Sequence, residues 1–278
     1  MDHVGAILDQ YDSTRGLRFY QTVMGGGGSS IHYGIYHQEN DDVMTATENI
    51  MRFMVECAQK YKTLEKNIKV LDLGAGTGSA AHFLVQNYDC KVNCVNISPN
   101  QNQLNHQRTV ELGITDSVEI IEASFDDLPE SWFSKFDLIW SQEAFCHGED
   151  KLRILCEGKR TLKPEGAFVF TDIMAGERAS QTELSSFTDK NIVTHLARPS
   201  EYFRWCLEAG FHEINYVDLS HHLITNFEKM INQIECNFSN LVSQEVPEDY
   251  LNEFQKALQS RINATKDKKF SWGCFCLR

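Results

Sequence analysis

The sequence predicts an α/β fold in which a parallel sheet is layered with helices around a hydrophobic core. Two observations predict it. Between residues 70 and 172 short apolar runs alternate with amphipathic stretches, the pattern of successive βαβ units. A glycine-rich turn closes the first of those runs, where a strand hands the chain to a helix. The chain's 278 residues, 42% of them hydrophobic, suffice for one such core with an accessory region; two independent domains are possible but not required.

In chain order, the strand candidates are KVLDLGAG from Lys69, KVNCVNI from Lys91, VEIIEAS from Val118, FDLIWSQ from Phe136 and AFVFTDI from Ala167. Residues 79–87, 100–112 and 150–162 read as the helices between them. Ser98-Pro99 opens the second helix, with serine as N-cap and proline at the first helical position. This order specifies a doubly wound, Rossmann-like sandwich. Beyond it, residues 177–198 are polar and carry few strong signals. Residues 200–210 read as a helix ending at Gly210, and FHEINYVDLS from Phe211 as a strand. Long helical periodicity over 228–263 precedes a terminal strand at 270–277.

Ahead of the sheet, the run LRFYQTVMGGGGSSIHYGIYHQENDD carries four consecutive glycines flanked by aromatic residues. Glycines permit a mobile, backbone-exposed turn, and the aromatic side chains after them favour a lid over a plain linker. Residues 1–60 are therefore expected to form an N-terminal helical lid or cap. Residues 61–278 would form the main domain, with a helical insertion at about 220–265 able to roof a pocket.

The chain carries 26 Lys and Arg against 39 Asp and Glu, a formal charge of −13. That balance disfavours nucleic acid and anionic membranes as partners, since tracking phosphates needs clustered cations. The N-terminus lacks the progression of a signal peptide and no long apolar run is present. Nine scattered cysteines without a CxxC pair fit reduced thiols in the cytoplasm. Cys274 and Cys276 read as same-face strand residues. The clusters Asp126-Asp127, Glu149-Asp150 and 39–42 read as solvated loop and helix-start charge, so no metal is expected.

In Asp72-Leu73-Gly74-Ala75-Gly76-Thr77-Gly78 the first two glycines let the backbone bend tightly and approach a ligand. The third lets the following helix pack close. Nicotinamide and flavin proteins use similar loops, but the dinucleotide fingerprint is normally apolar at the position of Asp72, and its third glycine would fall at Ser79. The segment instead resembles motif I of class I S-adenosylmethionine-dependent methyltransferases. That resemblance implies a mixed seven-stranded sheet flanked by helices. It places Gly74, Ala75, Gly76 and Gly78 beside the methionine part of S-adenosylmethionine, with Asp72 ordering the loop. Asn96, at the end of the second strand, stands where that family binds the ribose with Asp or Glu, and Ile97 and Gln101 lie beside it. Ser124 and Phe125 stand near the expected adenine, and Leu162-Lys163-Pro164-Glu165-Gly166 matches the family's turn before the fifth strand.

Two further stretches narrow the resemblance. Ser141-Gln142-Glu143-Ala144-Phe145-Cys146-His147 is similar to a segment of sarcosine/dimethylglycine N-methyltransferases and, more loosely, of phosphoethanolamine methyltransferases. Arg18-Phe19-Tyr20 and Ile31-His32-Tyr33-Gly34-Ile35-Tyr36 resemble the same group's N-terminal pattern. The resemblance implies His147 as base or positioner, paired with Tyr11. It implies His32, Tyr33 and Ser141 at the cofactor, and Tyr20, Tyr36 and Gln142 at the acceptor. Arg18, Arg178 and Arg198 are candidates for holding a substrate carboxylate. The implied reaction is N-methylation of sarcosine and N,N-dimethylglycine to glycine betaine, leaving S-adenosylhomocysteine, by a monomer or homodimer. A different small acceptor (phosphoethanolamine, a phenol or a natural-product hydroxyl) and a non-catalytic cofactor-binding protein are the alternatives.

Overall fold

The computed structural model describes residues 14–278. Its elements are α1 (Thr14–Val23), α2 (Val43–Gln59), β1 (Lys69–Leu73), α3 (Ser79–Tyr88), β2 (Lys91–Asn96), α4 (Pro99–Glu111), β3 (Val118–Glu122), β4 (Phe136–Gln142), α5 (Lys151–Thr161), β5 (Leu162–Ala175), α6 (Gln181–Asn191), α7 (Pro199–Glu208), β6 (Ile214–Asp218), α8 (Ser220–Ser243), α9 (Glu248–Lys266) and β7 (Phe270–Leu277). The strands form one mixed seven-stranded sheet in the order β3-β2-β1-β4-β5-β7-β6, and β1 to β5 pair in parallel. After β1 the chain builds outward to β2 and β3, then returns to the other side of β1 at β4. The carboxyl ends of strands at such a reversal are where open α/β sheets bind ligands.

The chain divides into two compact units. One holds the described residues up to Ile50 with 173–199 and 218–272; the other holds 51–172, 200–217 and 273–278. In the first, α1 buries Leu17, Phe19, Tyr20 and Val23, and the Phe19 ring meets Tyr250 and Phe254 of α9 edge-on at 5.3 and 5.0 Å. Arg261 of α9 is buried yet satisfied. Its guanidinium donates twice to the carbonyl of Ser186 in α6, at 3.1 and 2.7 Å, and lies 4.9 Å from the Phe187 ring centre. The four glycines form a hydrogen-bonded turn in which a side chain at Gly25 would strike the carbonyls of Gln21 and Ser30 at 2.7 Å. Asn226 of α8 grips Gly34 by both peptide groups, at 2.8 and 2.9 Å, fixing the segment that carries His32, Tyr33 and Tyr36.

In the second unit the sheet interior is apolar and aromatic. Phe168, Phe170 and Phe275 are fully buried, and the last two stack at 5.0 Å. The expected Ser98 cap is present, its hydroxyl accepting the Gln101 amide at 3.1 Å. Asp150 and Asp42 cap helices in the same way through Arg153 and Thr45, so both clusters that hold them supply helix-start charge. Cys274 and Cys276 are buried in β7, and all nine cysteines are free thiols.

Three local expectations change. Residues 162–166 are the start of β5, not a turn: Leu162 pairs with Phe136 and Ala167 with Leu138, so the Lys163–Gly166 stretch bulges against one partner residue. Pro164 has no N–H to give the ladder, and a bulge absorbs that loss. The weakly marked 177–198 segment contains α6, opened by a capping box in which Ser180 and Glu183 satisfy each other's backbone N–H. The single helical run expected over 228–263 is two helices. It breaks before Pro247, where Glu245 takes a left-handed φ of 68°.

Candidate active site

The site grows from the end of β1. Val70, Leu71 and Leu73 are fully buried, so the strand is held rigidly where it enters the glycine turn. The Gly74 and Ala75 amides both donate to the Val95 carbonyl, at 2.8 and 3.1 Å, binding the turn to β2. Gly74, Gly76 and Gly78 all have left-handed backbones, with φ of 76°, 54° and 81°. A side chain at Gly74 would lie 2.3 Å from the Ala144 Cβ, and one at Gly78 would lie 2.1 Å from the Asn105 Oδ1. At Gly76 it would meet nothing nearer than the Gln101 Oε1 at 3.8 Å. The turn is thus packed shut at both ends and open in the middle.

Asn96 and Gln101 border that opening. The Asn96 side-chain Nδ2 donates to the Gln101 Oε1 at 3.2 Å and to the Asn102 Oδ1 at 3.3 Å, which leaves the Asn96 Oδ1 as the side chain's acceptor. Ile97 beside it is half-buried. Helix α3 starts at Gly78 without a side-chain cap, so its first-turn amides face the turn as donors. Asp72 is buried two residues before Gly74, in register with Cys94 of β2 and Trp140 of β4. Its negative charge and burial together push the Cys94 thiol up, with burial the larger cause.

The end of β4 supplies the other wall. The Ser141 hydroxyl donates to the Leu73 carbonyl at 2.7 Å, tying the two strand ends together; it is a brace, with its donor already used. The Trp140 indole donates to the Gln142 Oε1 at 3.1 Å. The Gln142 amide nitrogen, and the hydroxyl of its register partner Thr171, are buried with no partner among the described residues. Buried donors of this kind are ordinarily satisfied, and a polar ligand group would satisfy them.

Glu143 was not singled out by sequence reasoning. It holds a left-handed φ of 47°, its amide bound to the Thr171 carbonyl at 2.9 Å. That strained residue turns the chain so that Ala144 covers Gly74 and the 3₁₀ turn Phe145–His147 follows. The available signal was an acidic residue just past a fully buried strand. His147 is half-buried, its amide bound to Ala144 at 3.1 Å. The Phe125 ring lies edge-on to Phe145 at 5.9 Å and beside both Gly74 and Gly148, linking the glycine turn to the His147 loop. The Ser124 hydroxyl donates to Asp126 at 2.5 Å, which leaves it an acceptor for an incoming group. The structure therefore brings together Gly74, Ala75, Gly76, Gly78, Asn96, Gln101, Phe125, Ser141 and Gln142, with His147 on the adjoining loop.

The remaining expected residues lie in the first unit. Tyr20 is buried against Phe19, and Tyr33 lies edge-on to Phe227 and Trp272 at 5.7 and 5.9 Å, so both rings are built into that unit's core. The Tyr36 ring has the Lys229 ammonium 5.7 Å from its centre, and burial, then Asp42 and Asp41, drive its phenol upward; it stays a neutral donor. His222, which accepts the Tyr36 amide, is held down at about 4 by burial and by His221 and His37. His32 is half-buried, Arg178 is exposed, and Arg198 donates to the Ala179 carbonyl at 3.1 Å. Tyr11 lies outside the described residues.

Residues 2–271 match the family of mycolic acid cyclopropane synthetases. The chain belongs to this family. Among curated proteins, this family member is 33% identical over 95% of its length to the glycine/sarcosine/dimethylglycine N-methyltransferase of Actinopolyspora halophila, of which it spans 46%. It is 28% identical over 96% of its length to the sarcosine/dimethylglycine N-methyltransferase of Halorhodospira halochloris, spanning 94% of that protein. Among solved structures, a Galdieria sulphuraria protein provisionally assigned as a sarcosine dimethylglycine methyltransferase superposes with a TM-score of 0.85 at 27% identity. That superposition covers 94% of this chain and 97% of the other.

Proposed function

We propose that the chain transfers methyl groups from S-adenosylmethionine to the nitrogen of sarcosine and of N,N-dimethylglycine, ending in glycine betaine and S-adenosylhomocysteine. The observation that carries this reading is the glycine turn, closed at Gly74 and Gly78 and open at Gly76 beside Gln101 and Asn96. It sits at the strand ends where such sheets bind ligands, in a chain whose aligned relatives are named for these acceptors. When bound, the cofactor supplies an electrophilic methyl group on a sulfonium.

The residues have definite tasks in this reading. The turn and the uncapped start of α3 hold the cofactor through backbone donors, the Asn96 side-chain Oδ1 accepts from its ribose, and Phe125 offers a ring face to its base. The Gln142 amide nitrogen donates to the acceptor, and the paired donors of Arg178 or Arg198 suit its carboxylate. An amino-acid amine is mostly protonated near neutrality, so His147, with Tyr11 as its expected partner, takes up that proton before attack. Aligning a neutral amine behind the methyl group and excluding water is the protein's main contribution.

Purified protein incubated with methyl-labelled cofactor and a panel of sarcosine, dimethylglycine, phosphoethanolamine and a phenol tests the reading. Label is expected in the first two; S-adenosylhomocysteine binding without transfer to any of them would mean a non-catalytic binder. His147→Ala should lower kcat by about 10²–10⁴-fold with cofactor affinity nearly unchanged; equal loss of both removes His147 from the chemistry. The nine free thiols support a reducing, cytoplasmic setting, and sedimentation would decide between monomer and homodimer. No helix among the described residues is long and apolar enough to cross a membrane.

A further inference from the structure

Backbone groups on both sides of His147 are gripped by buried side chains from other elements of the second unit. The Cys146 amide donates to the Asp172 Oδ1 at 3.2 Å. The Lys151 ammonium donates to the carbonyls of Cys146 and Gly148, at 3.4 and 2.6 Å. Behind them the Tyr202 hydroxyl of α7 donates to the Asp172 Oδ2 at 2.6 Å. Asp172 and Tyr202 are 0% exposed and Lys151 only 3%. Taking an acid and an ammonium out of water beneath one loop is costly and is weak evidence of added stability, so their arrangement asks what it does for the loop. From the contacts on Cys146 and Gly148, and resting on the methyl-transfer reading above, we propose that Asp172 and Lys151 are positioning residues for His147 that work while Asp172 is anionic.

The groups acting on Asp172 come from each element around it. Burial pushes its carboxyl up to about 7, helped by Glu143 from the loop after β4, while the Tyr202 hydroxyl, Lys151 of α5 and the Cys146 amide pull it down. Lys151 is lowered by burial and held up by Asp172, Cys146, Glu201 and Glu149. The Cys146 thiol and the Tyr202 phenol are driven well above their usual values by burial and by Asp172, so both stay neutral. As pH falls through about 7, Asp172 is protonated. The Cys146 amide then loses a charged acceptor and Lys151 its counter-charge, and the grip on both sides of His147 weakens.

Asp172→Asn keeps an oxygen for the Cys146 amide but never carries the charge. The wild-type to variant ratio of kcat cancels the titration of the acceptor amine, which the two proteins share. It should rise from under about twofold near pH 5.5 to about tenfold or more near pH 8.5, with the acceptor KM little changed. At the higher pH, backbone hydrogen exchange over residues 143–150 should be about tenfold faster in the variant. A ratio that stays flat with pH overturns the proposal. If Asp172→Asn fails to fold, Tyr202→Phe serves: losing a hydrogen bond that favours the anion should move the acidic fall of kcat to higher pH, and an unmoved profile overturns the proposal. If the wild type methylates nothing, the methyl-transfer reading fails by itself. The grip is then judged by exchange alone, faster exchange in either variant sustaining it and unchanged exchange ending it.

Discussion

At the scale of single residues, the glycine turn separates two effects that are usually confounded. Gly78→Ala would force a side chain onto Asn105 at a φ of 81°, and should cost about 1–3 kcal/mol of stability through strain and collision. Gly76→Ala meets only an ordinary contact, the Gln101 Oε1 at 3.8 Å, so its stability cost should be smaller, about 1 kcal/mol from the left-handed backbone alone. Its methyl group would nevertheless project into the cradle and weaken S-adenosylhomocysteine binding. Thermal melting and calorimetry on the two variants check this, and a Gly76→Ala protein that binds the nucleoside within about twofold of wild type would remove the turn from the cofactor site. The glycines were legible in the sequence because glycine tolerates left-handed φ at no steric cost. Glu143 was not, because its left-handed backbone is imposed by the turn from β4 onto Gly74 and by its amide's bond to Thr171.

Elements follow their local signals where those signals are chemical, and depart from them where packing intervenes. Ser98-Pro99 starts α4 as expected, since the serine hydroxyl answers an amide three residues on whatever the surroundings. Ser180 and Glu183 carry the same kind of signal for α6, hidden in a polar stretch. Ser180→Ala should cost about 0.5–2 kcal/mol in a melting experiment. Glu183 is held down at about 2 by Lys269, 2.7 Å away, and by the Ser180 amide and hydroxyl. A depressed carboxyl gives stability that is full above its unfolded value, 4.5, and lost as pH falls towards 2. The gap in Tm between wild type and Glu183→Gln should therefore be present at neutral pH and close in acid; a gap that persists there contradicts the assignment. Pro164 misleads in the opposite direction, because a residue that cannot join a ladder looks like a turn until the bulge in β5 accommodates it.

For the whole molecule, cofactor binding must appear as stability. A ligand that binds the folded chain alone, present at about 100 times its Kd, adds about 2.7 kcal/mol, so S-adenosylhomocysteine should raise Tm measurably and a nicotinamide dinucleotide should not. The reverse result would dismantle the cofactor assignment. The sequence by itself determined the strand and helix succession from β1 to β5, the glycine turn and the acidic character, since each is written in residue type and in local periodicity. Tertiary structure alone decided what the candidate aromatic side chains pack against, as with Tyr20 on Phe19 and Tyr33 on Phe227. It also decided that Asp172 meets Tyr202, 30 residues away, and the Cys146 amide, 26 away. Periodicity reports which face a residue shows to the core, whereas a hydrogen bond between distant residues exists only once the strands and helices that carry them have been brought together.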